Sequence, residues 1–231
     1  WTSPIFNISG YKYYLLILDD FSHFLWTFPL RLKSDTFTTF SHFLSWVSTQ
    51  FGRNVRVVQC DNGHEFGDSS IPSSLRHSVQ LRLLCPYTSP QKGWTEHMIH
   101  ITTNMLCRLL FQASLPTRYR VEALNTATYL NRLPSKAVNH PPTPLPSLPL
   151  RHNLSYEHLR VFGCACYPNI FATVPHKLAP CSTRLFLRYS FDHRGYWCLD
   201  LTTHHVIISR HVVFDEIVFP LVVSSPKRPR P

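Results

Sequence analysis

Five prolines fall within the eleven residues from His140 to Leu150, and that run limits the fold more than any other feature. Each proline removes a backbone donor and clashes with the turn before it, so neither a helix nor a central strand can pass through. The chain is cut into two parts, and each must bury its own core. A length of 231 residues leaves room for one domain of ordinary size and a smaller second one. The divisions expected are a first domain over 1–138, a Pro-rich linker over 139–157, a small β unit over 158–219 and a basic, disordered tail over 220–231.

The first part alternates strand and helix patterns. Tyr11–Asp20 reads as a buried strand and Phe24–Leu30 as a second, and the short link between them makes a hairpin. Phe37, Phe40, Leu44, Val47 and Phe51 recur at helical spacing, with Ser34 as N-cap and Gly52 just past the end. Val55–Cys60 is a strand that stops at the turn signal Asp61-Asn62-Gly63. A short helix over Ile71–Ser78, a strand over Gln80–Leu84, a loop over Pro86–Gly93 and helices over Trp94–Ala113 and Arg118–Leu133 complete the domain. This order points to an α/β layered fold. In the second part Leu159–Tyr167, Arg184–Tyr189, Tyr196–Leu199 and His205–Phe214 are short strands separated by turn signals, which makes a small all-β unit.

Composition removes several classes. With 44% apolar and 13% aromatic residues the chain is not disordered throughout. Its seven glycines form no Walker, dinucleotide-binding or G-x-S-x-G motif. No apolar run approaches the ~20 residues of a membrane span, so no membrane partner is expected. No secretory leader opens the chain, and its start at Trp1 without Met reads as a piece of something longer. The seven cysteines are odd in number, scattered and without C-x-x-C, which favours a reducing compartment over a disulfide framework or zinc ribbon. The net charge of +10 is uneven: residues 1–116 carry +2 and residues 117–231 carry +8. The basic second half is the better surface for a polyanion.

Two of the 13 carboxylates are well placed for chemistry. Asp61 ends a predicted central strand, where open α/β sheets put their sites. Glu96 falls in the first turn of a predicted helix after a Pro/Gly loop. Such a pair could hold hard divalent cations for phosphodiester chemistry. The competing reading is an Asx-type turn at Asp61 and a helix-dipole partner at Glu96, and spacing alone favours it. Asp19 and Asp20 end the first strand, where capping the hairpin turn is the expected role. His97 and His100 do not match H-E-x-x-H. Cys164 and Cys166 share one face of a strand, which suits buried structural thiols.

Several segments taken together carry a family resemblance. They are Ser9-Gly10-Tyr11-Lys12-Tyr13 with Leu18-Asp19-Asp20-Phe21-Ser22, Gln59-Cys60-Asp61-Asn62-Gly63-His64-Glu65-Phe66, and Cys85-Pro86-Tyr87-Thr88-Ser89-Pro90-Gln91-Lys92-Gly93-Trp94-Thr95-Glu96. Asn131-Arg132-Leu133-Pro134-Ser135, Leu159-Arg160-Val161-Phe162-Gly163-Cys164 and Ser209-Arg210-His211-Val212-Val213-Phe214-Asp215-Glu216 follow in order. Over nearly its whole length the chain resembles the integrase region of copia-type LTR retrotransposon polyproteins.

The resemblance implies a ribonuclease H-like core, a mixed sheet with flanking helices, followed by a small β-barrel of the Src-homology-3 kind. It implies an Asp, Asp, Glu triad holding Mg²⁺ or Mn²⁺, with about 35 residues between the last two. Here 34 residues separate Asp61 from Glu96, so these become the second and third acids, both catalytic and metal-binding. Lys92, Asn62 and Arg210 become nucleic-acid contacts. DNA is the implied partner, a homo-oligomer on DNA is compatible with the family, and the implied location is the nucleus. Intact relatives process a DNA 3′ end and join it to a target.

Departures from the family pattern are equally clear. The first catalytic Asp is expected two residues before Trp1. His97-Met98 replaces Arg-Lys, His64 replaces a second Gly, Arg188 stands where Gly is usual, one residue is missing near Tyr129-Leu130-Asn131, and Pro141–Pro149 replaces a helix. The implied state is an inactive copy with an incomplete triad. A non-enzymatic DNA-binding remnant and a ribonuclease H-like nuclease using Asp19 or Asp20 with Asp61 are the alternatives.

Overall fold

A computed structural model describes residues 7, 9–60, 79–83, 89–133, 156–169, 183–190 and 195–222. The expected helix at Ile71–Ser78, the Pro-rich run and residues 223–231 of the basic tail lie outside the described residues. Two compact units divide within one long helix, between Ile101 and Thr102. The second unit takes in Thr102–Leu133 as well as the C-terminal strands. This division runs through the expected 1–138 segment instead of falling at its end.

In the first unit, β1 (Tyr13–Leu18) and β2 (Leu25–Leu30) form an antiparallel hairpin with Leu18 opposite Leu25. Alternation along β2 puts Trp26 and Phe28 on one face, and Phe24 just before the strand packs on Trp26 at 4.6 Å. Helix α1 (Asp35–Phe51) answers with Phe43 and Trp46. Phe43 lies edge-on to Trp26 at 5.2 Å and to Phe28 at 5.8 Å, and it stacks on Trp46 at 5.9 Å. Thr36, Phe40 and Phe43 form the buried stripe, so the inward face is turned slightly from the one that the Phe/Leu/Val spacing selects. The Ser34 side chain makes no cap. Instead the Asp35 carboxylate accepts from the N–H of Leu32 at 3.0 Å. At the far end Gly52 takes a left-handed φ of 61° and donates to the Ser48 carbonyl, as a helix-ending glycine should.

Strands β3 (Val57–Cys60) and β4 (Gln80–Leu83) pair in parallel. Among the described residues the first unit therefore holds two separate two-stranded sheets, not one mixed sheet. Helix α2 (Ser89–Gln112) begins earlier than the Pro86–Gly93 loop assignment allows. Pro90 is tolerated because it falls in the first turn, where a backbone donor has no intrahelical acceptor. No helix among the described residues is long and apolar enough to cross a membrane.

In the second unit a 3₁₀ turn (Thr117–Tyr119) leads into α3 (Arg120–Arg132). Five antiparallel strands follow: β5 (Ala165–Pro168), β6 (Arg184–Tyr189), β7 (Tyr196–Asp200), β8 (Val206–Ser209) and β9 (Val212–Asp215), in the order β8-β7-β6-β5-β9. The predicted strand His205–Phe214 is thus two strands broken at Arg210-His211, and Leu159–Tyr167 is mostly an irregular lead-in to β5. Closure follows from chain reach. From Ser209 to Val212 the backbone spans at most roughly 11 Å, whereas four interstrand spacings laid flat would cover roughly 19 Å. The two edge strands can be joined by so short a link only if the sheet curls into a barrel.

The concave side is filled by Cys164, Cys166, Phe186, Tyr189 and Cys198, with Tyr196, Val212 and Phe214 packed against them. Phe186 meets the edges of Tyr189, Tyr196 and Phe214 at 5.1, 5.7 and 5.6 Å. The thiols are free and fully buried, as the strand spacing of Cys164 and Cys166 suggests. Burial pushes the Cys164 thiol up to about 12, and a hydrogen bond with the Cys198 thiol, followed by burial, raises that of Cys166. Helix α3 covers the convex side of β6, which is why Leu185 and Leu187 are buried as well as Phe186. Leu187 is the extra residue of a β-bulge opposite β7, and its carbonyl accepts a hydrogen bond from the Thr126 hydroxyl at 3.1 Å.

The segment Leu159–Cys164 is tied down residue by residue. The Tyr189 hydroxyl accepts from the Arg160 N–H at 2.8 Å and donates to the Arg160 carbonyl at 2.9 Å. The Arg160 guanidinium donates to the carbonyls of Glu157 and Leu159. Gly163 takes φ 79°, and a Cβ there would meet the Ala113 Cβ at 2.1 Å. Gly163→Ala should therefore destabilise the chain by about 3 kcal/mol, the sum of left-handed strain and overpacking. Urea unfolding should show a lower midpoint with an unchanged slope.

A buried ion pair joins β6 to β7. Arg184 Nη2 lies 3.1 Å from Asp200 Oδ2. The other carboxylate oxygen accepts from the N–H groups of Thr202 and Thr203, closing the turn into β8. The Thr203 N–H, then that of Thr202, and Arg184 hold Asp200 down at about 2, below its ordinary 3.8. A depressed folded-state pKa stabilises the fold above the unfolded value, and that contribution is lost as pH falls through the folded one. Thermal melts should therefore lose stability between about pH 4 and pH 2. Asp200→Asn should flatten that limb and cost about 3 kcal/mol at neutral pH, because Arg184 is left buried without a counter-charge.

Candidate nucleic-acid interface

Glu96 is the eighth residue of α2, not a first-turn residue, because the helix starts at Ser89. Its carboxylate is exposed. Two residues earlier on the same helix, the Trp94 indole lies 5.0 Å from the His23 ring and 5.7 Å from that of His97. His23 comes from the hairpin tip between β1 and β2. There the Asp19 carboxylate accepts from the Ser22 N–H at 2.8 Å and from the Ser22 hydroxyl, and the His23 N–H donates to the Asp19 carbonyl at 2.8 Å. Asp19 is thus a turn cap, as its place at the strand end suggests. Asp20 is exposed.

The other expected site residues are distributed as follows. Asp61 and Asn62 lie outside the described residues. Lys92 belongs to α2, but its side chain is likewise outside them. Arg210 is exposed on the two-residue link from β8 to β9, in the second unit. Among the described residues no three His, Cys, Asp or Glu side chains converge on a metal position. Of the two carboxylates expected to hold a hard cation, the described residues supply Glu96, an accessible oxygen donor of the right chemistry.

Among the described residues, several that depart from the family pattern have partners, whereas His64 and Pro141–Pro149 lie outside the described residues. Arg188 lies opposite Trp197 in the β6–β7 register, with its guanidinium 3.6 Å from the indole centroid. It also faces Glu122 on α3. Burial raises the Glu122 carboxyl and the Arg188 charge partly offsets it. Tyr129 stacks on Tyr189 at 4.4 Å and its hydroxyl shares a hydrogen bond with His158 Nε2 at 2.7 Å. Asn131 donates to the Thr102 hydroxyl at 3.1 Å. Sequence reasoning missed the His23–Trp94–His97 contact. The available signal was a tryptophan directly after Gly93, at the polar end of a helix that gains nothing from it as core.

Comparison with known proteins now adds to the geometry. Residues 164–227 match a family model described as the retroviral polymerase SH3-like domain, which agrees with the curled five-stranded sheet. The retrovirus-related Pol polyprotein from transposon RE2 of Arabidopsis thaliana is 36% identical over 97% of this chain. That from transposon TNT 1-94 of Nicotiana tabacum is 31% identical over 91%. The chain spans 15% and 16% of the lengths of these relatives. A solved intasome of simian T-cell lymphotropic virus in complex with PP2A regulatory subunit B56 gamma is similar over 85% of this chain and 69% of its own, at 13% identity and a TM-score of 0.41. Nearly the whole of this chain is homologous to one stretch of retrovirus-related Pol polyproteins from copia-type transposons, and its residues 164–227 are similar to the retroviral polymerase SH3-like domain.

Proposed function

We propose that this chain is the integrase-derived segment of such a polyprotein and that it binds DNA through its basic second half. The observation that carries the reading is collinear similarity to the relative from Arabidopsis thaliana over 97% of the chain, through the segments around Asp61, Glu96 and Arg210. The first unit is read as a ribonuclease H-like core. In support, an antiparallel hairpin, a helix, a parallel strand pair and a long helix bearing Glu96 follow one another, an alternation compatible with an α/β layered core. Asp61 and Glu96 would hold Mg²⁺ or Mn²⁺, which when bound supplies charge stabilisation for attack on a phosphodiester. Lys92 and Asn62 would hold the DNA strand beside those carboxylates, and Arg210 would contact phosphate from the barrel. Assembly on DNA as a homo-oligomer and a nuclear location belong to the same reading.

The 231 residues carry two of the three acids in this scheme. Loss of one member of a concerted site commonly removes orders of magnitude in rate. The chain by itself is therefore expected to bind DNA without joining strands.

Both halves of the reading are measurable. In fluorescence anisotropy with duplex DNA, affinity should fall linearly on a log–log plot against salt, roughly 100-fold between 50 and 200 mM for about four phosphate contacts. Asp61→Asn should leave this binding unchanged, and replacing Lys227, Arg228 and Arg230 by Ala should make the slope shallower. No binding at low salt would remove the DNA-binding half. Mg²⁺-dependent strand joining that Asp61→Asn abolishes would overturn the inactive half.

A further inference from the structure

The β1–β2 hairpin is electrically polarised. Its tip carries Asp19 and Asp20, and its open end carries Lys12, Arg31 and Lys33. The six residues of β1 hold the two ends roughly 17 Å apart. That exceeds the ~8 Å over which exposed charges feel one another at physiological salt. The acids of the tip therefore do not cancel the cations of the open end. Residues 1–11 add no charged side chain there. The carboxylate closest in sequence, Asp35, accepts from the Leu32 N–H.

The three cations are gathered on two rings. Lys12 and Lys33 approach Tyr13 from the two sides of the hairpin, with Nζ 5.8 and 6.0 Å from the ring centroid. The Arg31 guanidinium lies 5.5 Å from the Tyr11 centroid. Arg31 and Lys33 are exposed, and Lys12 is half-buried. The backbone under the rings is fixed. The Tyr11 N–H donates to the Asn7 side-chain oxygen at 2.7 Å, its carbonyl accepts from the Asn7 N–H at 3.2 Å, and the Lys12 N–H donates to the Leu30 carbonyl at 3.0 Å. Cation–π contact restrains long side chains that would otherwise lose freedom on binding. Tyr11 and Tyr13 are two residues apart, so their Cα atoms are separated by at most roughly 7 Å. Phosphates recur along one DNA strand at a similar interval.

We propose that the open end of the hairpin is a second polyanion-binding surface that seats two successive phosphates of a DNA strand, Lys12 and Lys33 at one and Arg31 at the next. The inference rests on the DNA-binding reading and deepens it by giving the first unit a contact of its own, separate from the basic second half.

The test is fluorescence anisotropy of the whole 231-residue chain on a blunt duplex between 50 and 200 mM salt. Two phosphate contacts account for roughly two units of the log–log slope. In Lys12→Gln/Arg31→Gln/Lys33→Gln, the affinity lost over that salt range should shrink from roughly 100-fold to roughly tenfold. The charge-conserving variant Lys12→Arg/Arg31→Lys/Lys33→Arg should keep the full slope. Arg53→Gln/Arg56→Gln, which removes exposed cations between α1 and β3, should keep it too. Circular dichroism checks folding, and if the triple Gln variant unfolds, Arg31→Gln/Lys33→Gln, confined to exposed positions, decides. An unchanged slope in the folded Gln variants, or an equal change on replacing Arg53 and Arg56, overturns the surface and leaves the DNA-binding reading standing. Gln variants that lose affinity for polyglutamate but not for the duplex make the occupant an acidic peptide and overturn DNA. Failure of the unaltered chain to bind the duplex overturns the underlying reading and the surface with it.

Discussion

The C-terminal unit depends on the shortness of one link. Arg210 and His211 carry the chain from β8, at one edge of a five-stranded sheet, to β9, at the other. So short a link leaves the sheet no option but to curl, and curling creates an interior. The interior then has to be filled, and the alternation along β6, β7 and β9 supplies Phe186, Cys198, Tyr196 and Phe214 to fill it. The bulge at Leu187 accommodates the bend, and the Thr126 hydroxyl from α3 satisfies the carbonyl at the bulge. Arg184 and Asp200 close the end of the strand pair nearest the turn into β8.

The segment Leu159–Cys164 shows how a sequence motif can be structural throughout. Arg160 is gripped through its backbone by Tyr189, while its side chain grips the carbonyls before it. Gly163 lets the chain pass against Ala113 where any Cβ would collide. A motif of this kind advertises a fold and carries no chemistry of its own. Arg210, by contrast, is exposed on the link between β8 and β9.

The hairpin, α1 and the individual strands of the first unit were legible from periodicity, and so were most strands of the second, whereas the parallel pairing of β3 with β4 was not. Turn residues and period-2 or period-3.6 apolar spacing act over a few residues, and sequence reports such forces directly. The start of α2 was misplaced because Pro90 looks like a breaker and is harmless in a first turn. The break inside His205–Phe214 was missed because both halves are β-branched and apolar, and only pairing on opposite edges separates them. Of the candidate site, Glu96 was legible as a carboxylate on a helix, though not its place beyond the first turn, and Asp19 as a turn cap. The contact between His23 and Trp94 was not, since 71 positions separate them and only the fold brings their rings together.

By itself the sequence determined that the chain has two parts, that the second is basic and rich in short strands, and that its segments follow the order of a transposon polyprotein. These are properties of composition and local order, which need no knowledge of distant contacts. Only the tertiary structure decided that Thr102–Leu133 belongs with the C-terminal strands, that three thiols lie inside a barrel, and that Trp94 is capped by a histidine from a hairpin. Each of those depends on which surfaces become neighbours after burial. That is set by summed packing over the whole unit, not by any residue's own preference.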